Sequence, residues 1–314
     1  MSRTAPASVR AALGRSPTTS GGVRVEPLAA YVLSSCVAVL AGLASLVGLL
    51  VGGLYGAPAS VAEMLRGYDL VTLVVVVPVL ALAQLRARRG SDRARLVWVG
   101  MLAYLAYTYA YYLFGASFND VFMLHAVVFG GSVFALVLAV LALDVPTIGG
   151  GFARRTPRRL VSAVLGLLAA GLGGMWVYYV VRFAVTGEVP PGSALVEPDS
   201  VVHLGIALDL ALLVLAYALA AVLLWRGIAA GFVLASVVLV SGTLHQVSYM
   251  VALPFQAAAD VPGAVAFDPM EPVIALLYLV ATAVLLWGAG RRHGEVDRAG
   301  PPHRHQRLSA RSRS

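Results

Sequence analysis

Four ionisable side chains stand inside long apolar stretches of the sequence, where burying a charge is costly. They are two carboxylates, Asp69 and Asp209, and two histidines, His125 and His245. Ionisable groups inside membrane-type segments face a bundle interior or a water-filled cavity by default. A carboxylate beside a histidine can exchange a proton. Asp209 and one of the histidines are therefore a candidate pair for proton transfer.

A stripe of tyrosines accompanies these four residues. Tyr104, Tyr107 and Tyr111 follow one another at helical spacing, so they share one face of a helix. At a rise of about 1.5 Å per residue, Tyr111 and the four ionisable groups lie about 24–28 Å from the inner ends of their apolar runs. That level is close to the outer edge of a bilayer's hydrocarbon core, which is about 30 Å thick.

The shared depth predicts an outward-facing polar vestibule between helices. Its predicted wall residues are Asp69, Tyr104, Tyr107, Tyr111, His125, Asp209 and His245. Arg182 is placed at its mouth, where this side chain or Arg66 could bind an anion or a carboxylate.

Simpler interpretations of the same residues remain open. Tyrosine is enriched at membrane interfaces, so the tyrosines could form an aromatic belt. Asp69 and Asp209 could be stabilised near helix N-termini by the helix dipole. His125 and His245 could be packing residues that are hydrogen-bonded to neighbouring hydroxyls.

The sequence gives little support for a cofactor, a metal ion or catalysis. The histidines form neither an i, i+4 pair nor an HExxH motif. His125 and His245 could face each other as haem ligands do, but no other feature points to haem. The chain has no lysine for a retinal Schiff base and no phosphate-binding P-loop. We therefore expect no catalytic residue, no metal site and no bound cofactor.

Membrane-spanning helices must position these groups. Hydrophobic residues make up 60% of the chain and charged residues 12%, whereas soluble domains carry about 25% charged residues. About 20 apolar residues cross a bilayer as one helix. The sequence predicts an all-α polytopic bundle over residues 28–289 with eight spans: Leu28–Leu54, Tyr68–Leu85, Leu96–Phe114, Val121–Leu143, Leu160–Ala184, Val201–Trp225, Ile228–Leu253 and Pro272–Ala289. Pro78 should kink the second of them.

The arginines predict the orientation of the bundle. All 23 Lys+Arg residues are arginine, and only Arg66 and Arg182 lie near the outer ends of the apolar runs. By the positive-inside rule, both termini are then cytoplasmic. The basic tails, residues 1–27 and 290–314, are predicted to be disordered. We expect a bacterial cytoplasmic membrane as the location, anionic lipids as partners at its inner face and no nucleic-acid partner.

Two segments of the sequence suggest an internal repeat. Asp69-Leu70 precedes Arg86 by the same distance at which Asp209-Leu210 precedes Arg226. A parallel repeat of four plus four spans is possible because an even number of spans preserves the orientation. In the fifth span, Gly171 and Gly174 lie one turn apart and predict a close helix contact.

The segment from Tyr107 to Asn119, with Asp69-Leu70-Val71-Thr72 upstream, resembles a family of uncharacterised prokaryotic multi-pass membrane proteins. The resemblance implies topology and no activity. The sequence favours a non-catalytic accessory or structural membrane protein. A small-molecule or ion permease that uses the vestibule stays open, as does a membrane-embedded enzyme or redox protein.

Overall fold

The computed structural model describes residues 27–152, 156–190 and 193–290. Within these ranges all regular structure is helical and no strand occurs. The tails predicted to be disordered lie outside the described residues, apart from residues 27 and 290. Arg154 and Arg155 of the predicted basic loop also lie outside them.

Eight helices of the described chain are long and apolar enough to cross a membrane, which confirms the predicted number of spans. In chain order, spans 1 to 8 are Pro27–Leu50, Ala59–Arg88, Asp92–Gly115, Phe122–Leu141, Arg158–Thr186, Asp199–Arg226, Ala229–Ala258 and Met270–Gly288. A short helix, Val145–Gly150, lies between spans 4 and 5.

Span 2 begins earlier than predicted, at Ala59 rather than Tyr68. Its first turns are too polar to be read from hydropathy, but they are good helix formers. Pro58 occupies the N-cap position, and Glu63 and Arg66 form an ion pair of 3.1 Å one turn apart. The extension places Arg66 on the helix rather than in a loop.

Spans 3 and 7 form the centre of the bundle. In their most apolar windows 78% and 72% of residues are buried, against 39% or less in the other six spans. Span 7 packs against spans 2, 3, 6 and 8, and span 3 packs against spans 2, 4 and 7. Span 1 packs against spans 2 and 4, and span 5 packs mainly against span 6.

Glycines allow the central helices to approach closely. A Cβ on Gly67 of span 2 would overlap Ala252 of span 7, and a Cβ on Gly100 of span 3 would overlap Val240. The predicted contact at Gly171 and Gly174 is wrong, because both face open space. Gly173 packs against Val214 instead, and residue spacing alone does not tell which side of span 5 meets a neighbour.

Three π-helical turns interrupt the spans close to their polar residues. They are Thr72–Val76 in span 2, Tyr111–Gly115 in span 3 and Asp209–Val214 in span 6. The first ends just before Pro78, where the Val77 N–H donates to the carbonyl five residues back. π-Helical turns of this kind are frequent at functional sites, and two of these begin at residues predicted to line the vestibule.

Successive loops lie alternately at one end of the bundle and at the other. At one end, Arg93 at the start of span 3 donates to the carbonyls of Trp287 and Ala289 at the end of span 8. At the other end, Ser117 after span 3 donates to the carbonyl of Ala57 before span 2, at 2.6 Å. Thr156 before span 5 packs against Gly288 of span 8, and Arg158 lies over Gly227 after span 6, so the described arginine-rich segments share the first of these ends.

Candidate functional site: two carboxylate clusters

The first cluster surrounds Asp69, which is completely buried. Its Oδ2 accepts a hydrogen bond from the Tyr55 hydroxyl at 2.6 Å, and its Oδ1 accepts one from the Tyr112 hydroxyl at 2.9 Å. Tyr55 lies in the turn after span 1, so this carboxylate connects spans 1, 2 and 3. Burial, followed by the charge of Asp69, raises the pKa of Tyr55 and keeps its hydroxyl a donor.

Gly48 makes room for this arrangement. A Cβ at this position of span 1 would overlap the Asp69 carboxylate and the Tyr55 hydroxyl. Span 1 can therefore pack this closely against Asp69 and Tyr55 only because residue 48 is a glycine and has no side chain. Residue 48 is part of the site although it supplies no functional group.

His125 of span 4 completes this first group, which we call the Asp69 cluster: Asp69, Tyr55, Tyr109, Tyr112 and His125. The His125 ring is fully buried, with its centroid 4.9 Å from that of Tyr112 and 5.9 Å from those of Tyr55 and Tyr109. Neither ring nitrogen has a hydrogen-bond partner among the described residues. The His125 ring packs against Tyr55 and Tyr112, which hold Asp69, and no hydrogen bond joins it to the carboxylate within the described chain.

The second group, the Asp209 cluster, lies on another side of span 3 and comprises Asp209, Tyr107, Tyr111, Trp176 and His245. Asp209 Oδ1 accepts from the Tyr107 hydroxyl at 2.5 Å, and Oδ2 accepts from Trp176 Nε1 at 2.8 Å. The His245 ring stands edge-on to that of Tyr107, with 4.9 Å between centroids. Its Nδ1 is buried without a hydrogen-bond partner in the described part of the chain.

The loop before span 6 covers the outer side of the Asp209 cluster. The Leu195 N–H donates to the Tyr249 hydroxyl at 2.9 Å, and the Gln256 side chain exchanges hydrogen bonds of 2.9 Å with the backbone of Val196. The next residue, Glu197, is half-buried. Burial, and then the charge of Asp209, raises the pKa of Glu197 to about 7.

Glu197 makes the stability of the protein depend on pH. Between its ordinary pKa of 4.5 and about 7, the folded chain holds a proton that the unfolded chain has released. This contribution to stability is complete below the ordinary pKa and is lost as the pH rises through about 7. We expect the unfolding temperature to fall from about pH 5 to about pH 8, and to fall less in Glu197→Gln.

Thermal unfolding of the protein in detergent at the two pH values measures this difference. The matched control is Glu188→Gln, which changes an exposed glutamate of the same loop that is ion-paired with Arg182. It supplies the reference profile for a Glu→Gln change in this loop, against which the Glu197→Gln profile is compared. A Glu197→Gln profile that parallels the wild type would contradict the assignment.

The residues predicted to line one vestibule are divided between these two clusters. Asp69 and His125 lie in the first, while Tyr107, Tyr111, Asp209 and His245 lie in the second. Tyr104 lies between them, where its hydroxyl is 2.6 Å from that of Ser248 and links spans 3 and 7. Arg182 forms an exposed ion pair with Glu188 and contacts neither carboxylate.

Span 3 divides the two clusters because its tyrosines point in different directions. Tyr107 and Tyr112 are five residues apart, which separates them by roughly 140° around a helix. One therefore reaches Asp209 and the other reaches Asp69. The neighbours Tyr68 and Asp69 divide in the same way, since the Tyr68 ring packs against Tyr111 and His245.

Sequence reasoning missed four members of the two clusters, Tyr55, Tyr109, Tyr112 and Trp176. It also missed three residues beside them, Gly48, Tyr68 and Glu197. Tyr55 and Glu197 come from loops, whose positions residue spacing does not give. Trp176 lies within an apolar run, where hydropathy does not reveal that its N–H donates to a carboxylate. The usable clue was chemical: a buried carboxylate needs donors, and tyrosine and tryptophan are the aromatic residues that supply them.

The two clusters do not combine into a metal site. Within the described ranges, no group of three or more His, Cys, Asp or Glu side chains is placed to hold a metal ion. Each carboxylate instead accepts hydrogen bonds from two aromatic side chains.

The fold and the clusters define the class of protein. Eight apolar helices and no strand in the described residues give the chain the architecture of a multi-pass membrane protein. Comparisons with protein-family models, curated proteins and solved structures find no match to the chain. The resemblance noted for residues 107–119 therefore stays a prediction.

Proposed function

We propose that the protein is a non-catalytic accessory or structural protein of a bacterial cytoplasmic membrane, in which the two carboxylates hold the helices together. One observation carries this proposal: both oxygens of Asp69 and both oxygens of Asp209 accept hydrogen bonds from the bundle's own side chains. A general base must have an oxygen within reach of its substrate. Here the oxygens are used to connect spans 1, 2, 3, 5 and 6.

The arginines support the proposed orientation, with both termini in the cytoplasm. The described arginines between spans 2 and 3, at the start of span 5 and at the end of span 6 share one end of the bundle. Acidic residues gather at the other end, among them Glu63, Glu188, Asp260 and Glu271. This asymmetry follows the positive-inside rule and favours anionic lipid beside the arginine-bearing face.

The clusters also support a parallel repeat of spans 1–4 and 5–8. The two carboxylates at corresponding positions, Asp69 and Asp209, each accept from two aromatic donors. The two most buried spans, 3 and 7, correspond to each other as well. In this arrangement each half contributes one carboxylate, and both carboxylates accept a hydrogen bond from span 3.

The proposal predicts that Asp209→Asn lowers stability. The amide offers one acceptor oxygen where the carboxylate offers two, so the Tyr107 hydroxyl or the Trp176 N–H loses its partner. The expected loss is about 1–3 kcal/mol, measured as unfolding in mixed micelles. A carboxylate maintained for function at the expense of stability would respond in the opposite way, because its removal commonly stabilises the protein.

A double-mutant cycle with Tyr107→Phe supplies the control. If the hydrogen bond is the stabilising contact, the double variant loses less than the sum of the two single variants. Tyr178→Phe changes a largely exposed tyrosine of span 5 and should show no coupling to Asp209→Asn. The proposal would lose its support if Asp209→Asn were more stable than the wild type. It would also lose it if the effects of Asp209→Asn and Tyr107→Phe on stability were simply additive.

A second candidate function is a small-molecule or ion permease that uses the Asp209 cluster as its outward-facing vestibule. Three titratable groups favour it: Asp209, half-buried Glu197 and His245 with its unpartnered Nδ1. Proton flux into proteoliposomes, followed with a pH-sensitive dye, tests it. A proton permease should lose its flux in Asp209→Asn, whereas wild-type proton flux equal to that of protein-free liposomes would rule out proton transport.

A further inference from the structure

A groove opens between spans 5 and 6 at the end of the bundle where the arginines lie. It is lined by Ser162 on span 5 and by Ala221, Val222, Trp225 and Arg226 on span 6. Val222 is 50% exposed and Trp225 is 53% exposed, on the outside of the helix bundle. In a membrane, this surface faces lipid rather than the bundle interior.

Three guanidinium groups surround the polar end of the groove. The Arg159 guanidinium lies over the Trp225 ring, 5.7 Å from its centroid. Arg226 ends span 6, and the Arg158 guanidinium lies directly over Gly227, where a Cβ would overlap it. Among the described residues, no carboxylate lies within 4 Å of any of the three. The positive charge is therefore not neutralised by the described chain.

We propose that this groove binds one anionic phospholipid, with its phosphate between Arg159 and Arg226 and an acyl chain along Val222 and Leu219. Basic pockets between spanning helices at the cytoplasmic side suit anionic headgroups, and the N-terminal end of span 5 adds positive potential. Trp225 lies at the boundary between the two parts, as interfacial tryptophans do. This inference rests on the membrane location in the proposed function and names a specific site for its lipid partner.

The geometry favours a lipid over a free phosphate ion. The arginines could bind a free phosphate ion as well as a lipid phosphate. A free ion, however, would leave the exposed apolar wall next to the charged end without a ligand. Val222 lines the groove and is 50% exposed, and Leu219, which is 53% exposed, lies one turn earlier on the same face of span 6. A ligand that satisfies both parts needs a negative headgroup and an apolar chain.

Fluorescence quenching of Trp225 by brominated lipids tests the site directly. The protein carries a Trp287→Phe change, because Trp287 is also exposed at this end, and is reconstituted in vesicles. The fluorescence of Trp225 is obtained by subtracting the fluorescence of the same protein that also carries Trp225→Phe. Brominated phosphatidylglycerol, diluted into phosphatidylcholine, should quench Trp225 more strongly than brominated phosphatidylcholine does. Equal quenching by the two lipids would overturn the proposal.

Two variants assign that selectivity to the arginines. Removing one arginine, as in Arg159→Gln or Arg226→Gln, should lower the preference for the anionic lipid about fivefold. Arg159→Lys keeps the charge and should retain most of the preference. The matched control is Arg89→Gln, which removes an exposed arginine from the same end but outside the groove, and it should leave Trp225 quenching unchanged. An equal effect of Arg89→Gln would show a diffuse charge effect and reject the site.

Inorganic phosphate distinguishes the two sources of the anion. Added to the vesicles, it should not reduce quenching by brominated phosphatidylglycerol, because it lacks the acyl chain that fills the apolar wall. Displacement by phosphate would reassign the groove to a free anion and overturn the lipid proposal. The quenching test uses vesicles with the same lipid in both leaflets, so it is independent of orientation. If the quenching test fails, the lipid site is rejected. The proposed topology and the non-catalytic role are not affected, because separate experiments test them.

Discussion

Replacing Gly48 with alanine is expected to destabilise the protein by about 3 kcal/mol. A Cβ at this position overlaps the Asp69 carboxylate and the Tyr55 hydroxyl. Overpacking a well-packed core costs about 1–3 kcal/mol, and a weakened hydrogen bond to a buried carboxylate adds about 1–3 kcal/mol. Neither group can move aside easily, because Tyr112 holds the other oxygen of the same carboxylate. Unfolding in mixed micelles measures the effect.

Gly42→Ala is the matched control, two turns earlier on the same span. A Cβ on Gly42 would meet only Val77 methyl groups at 3.7 Å, an ordinary contact. Alanine is favoured over glycine in a helix by up to about 1 kcal/mol, so this variant should be neutral or slightly more stable. If Gly48→Ala were as stable as Gly42→Ala, span 1 could not lie as close to the Asp69 cluster as the structure places it.

The number of spans could be predicted because the signal is local. A run of about 20 apolar residues needs no knowledge of its neighbours, and all eight runs are helices in the described chain. The predicted boundaries are wrong where the first turns of a helix are polar, or where no local feature marks the residue at which the helix begins. The first turns of span 2, around Glu63 and Arg66, are helical although hydropathy gives no hint of them.

Part of the candidate site could be predicted from the sequence, but its lateral arrangement could not. Helical spacing predicts that Tyr104, Tyr107 and Tyr111 share one face of span 3, and all three are buried, as are Tyr109 and Tyr112. It does not tell which neighbouring span each one meets, since that depends on how eight helices pack. Tyr112 shows the difficulty, because it points to Asp69 while Tyr107 points to Asp209. The π-helical turn that begins at Tyr111 alters the angular register further.

Asp69→Leu is expected to have the largest effect of a single side chain, a loss of about 2–6 kcal/mol. The substitution leaves the hydroxyls of Tyr55 and Tyr112 buried with no carboxylate to accept from them, at about 1–3 kcal/mol for each. Tyr112 keeps a weaker alternative in the Leu65 carbonyl, 3.0 Å away. Asp69→Asn keeps one acceptor oxygen, so it should lose about half as much. Unfolding in mixed micelles gives the order of the three proteins.

The triple variant Asp69→Leu, Tyr55→Phe, Tyr112→Phe separates the hydrogen bonds from the general cost of changing a core residue. Replacing all partners of a buried polar group with apolar groups of similar shape can be nearly neutral, and the same holds for buried charged networks. We therefore expect the triple variant to regain most of the stability that Asp69→Leu loses. The fully buried ring of His125 then packs against phenyl groups in place of phenols. A triple variant as unstable as Asp69→Leu would mean that side-chain shape, rather than the three-residue hydrogen-bond network, holds spans 1, 2 and 3 together.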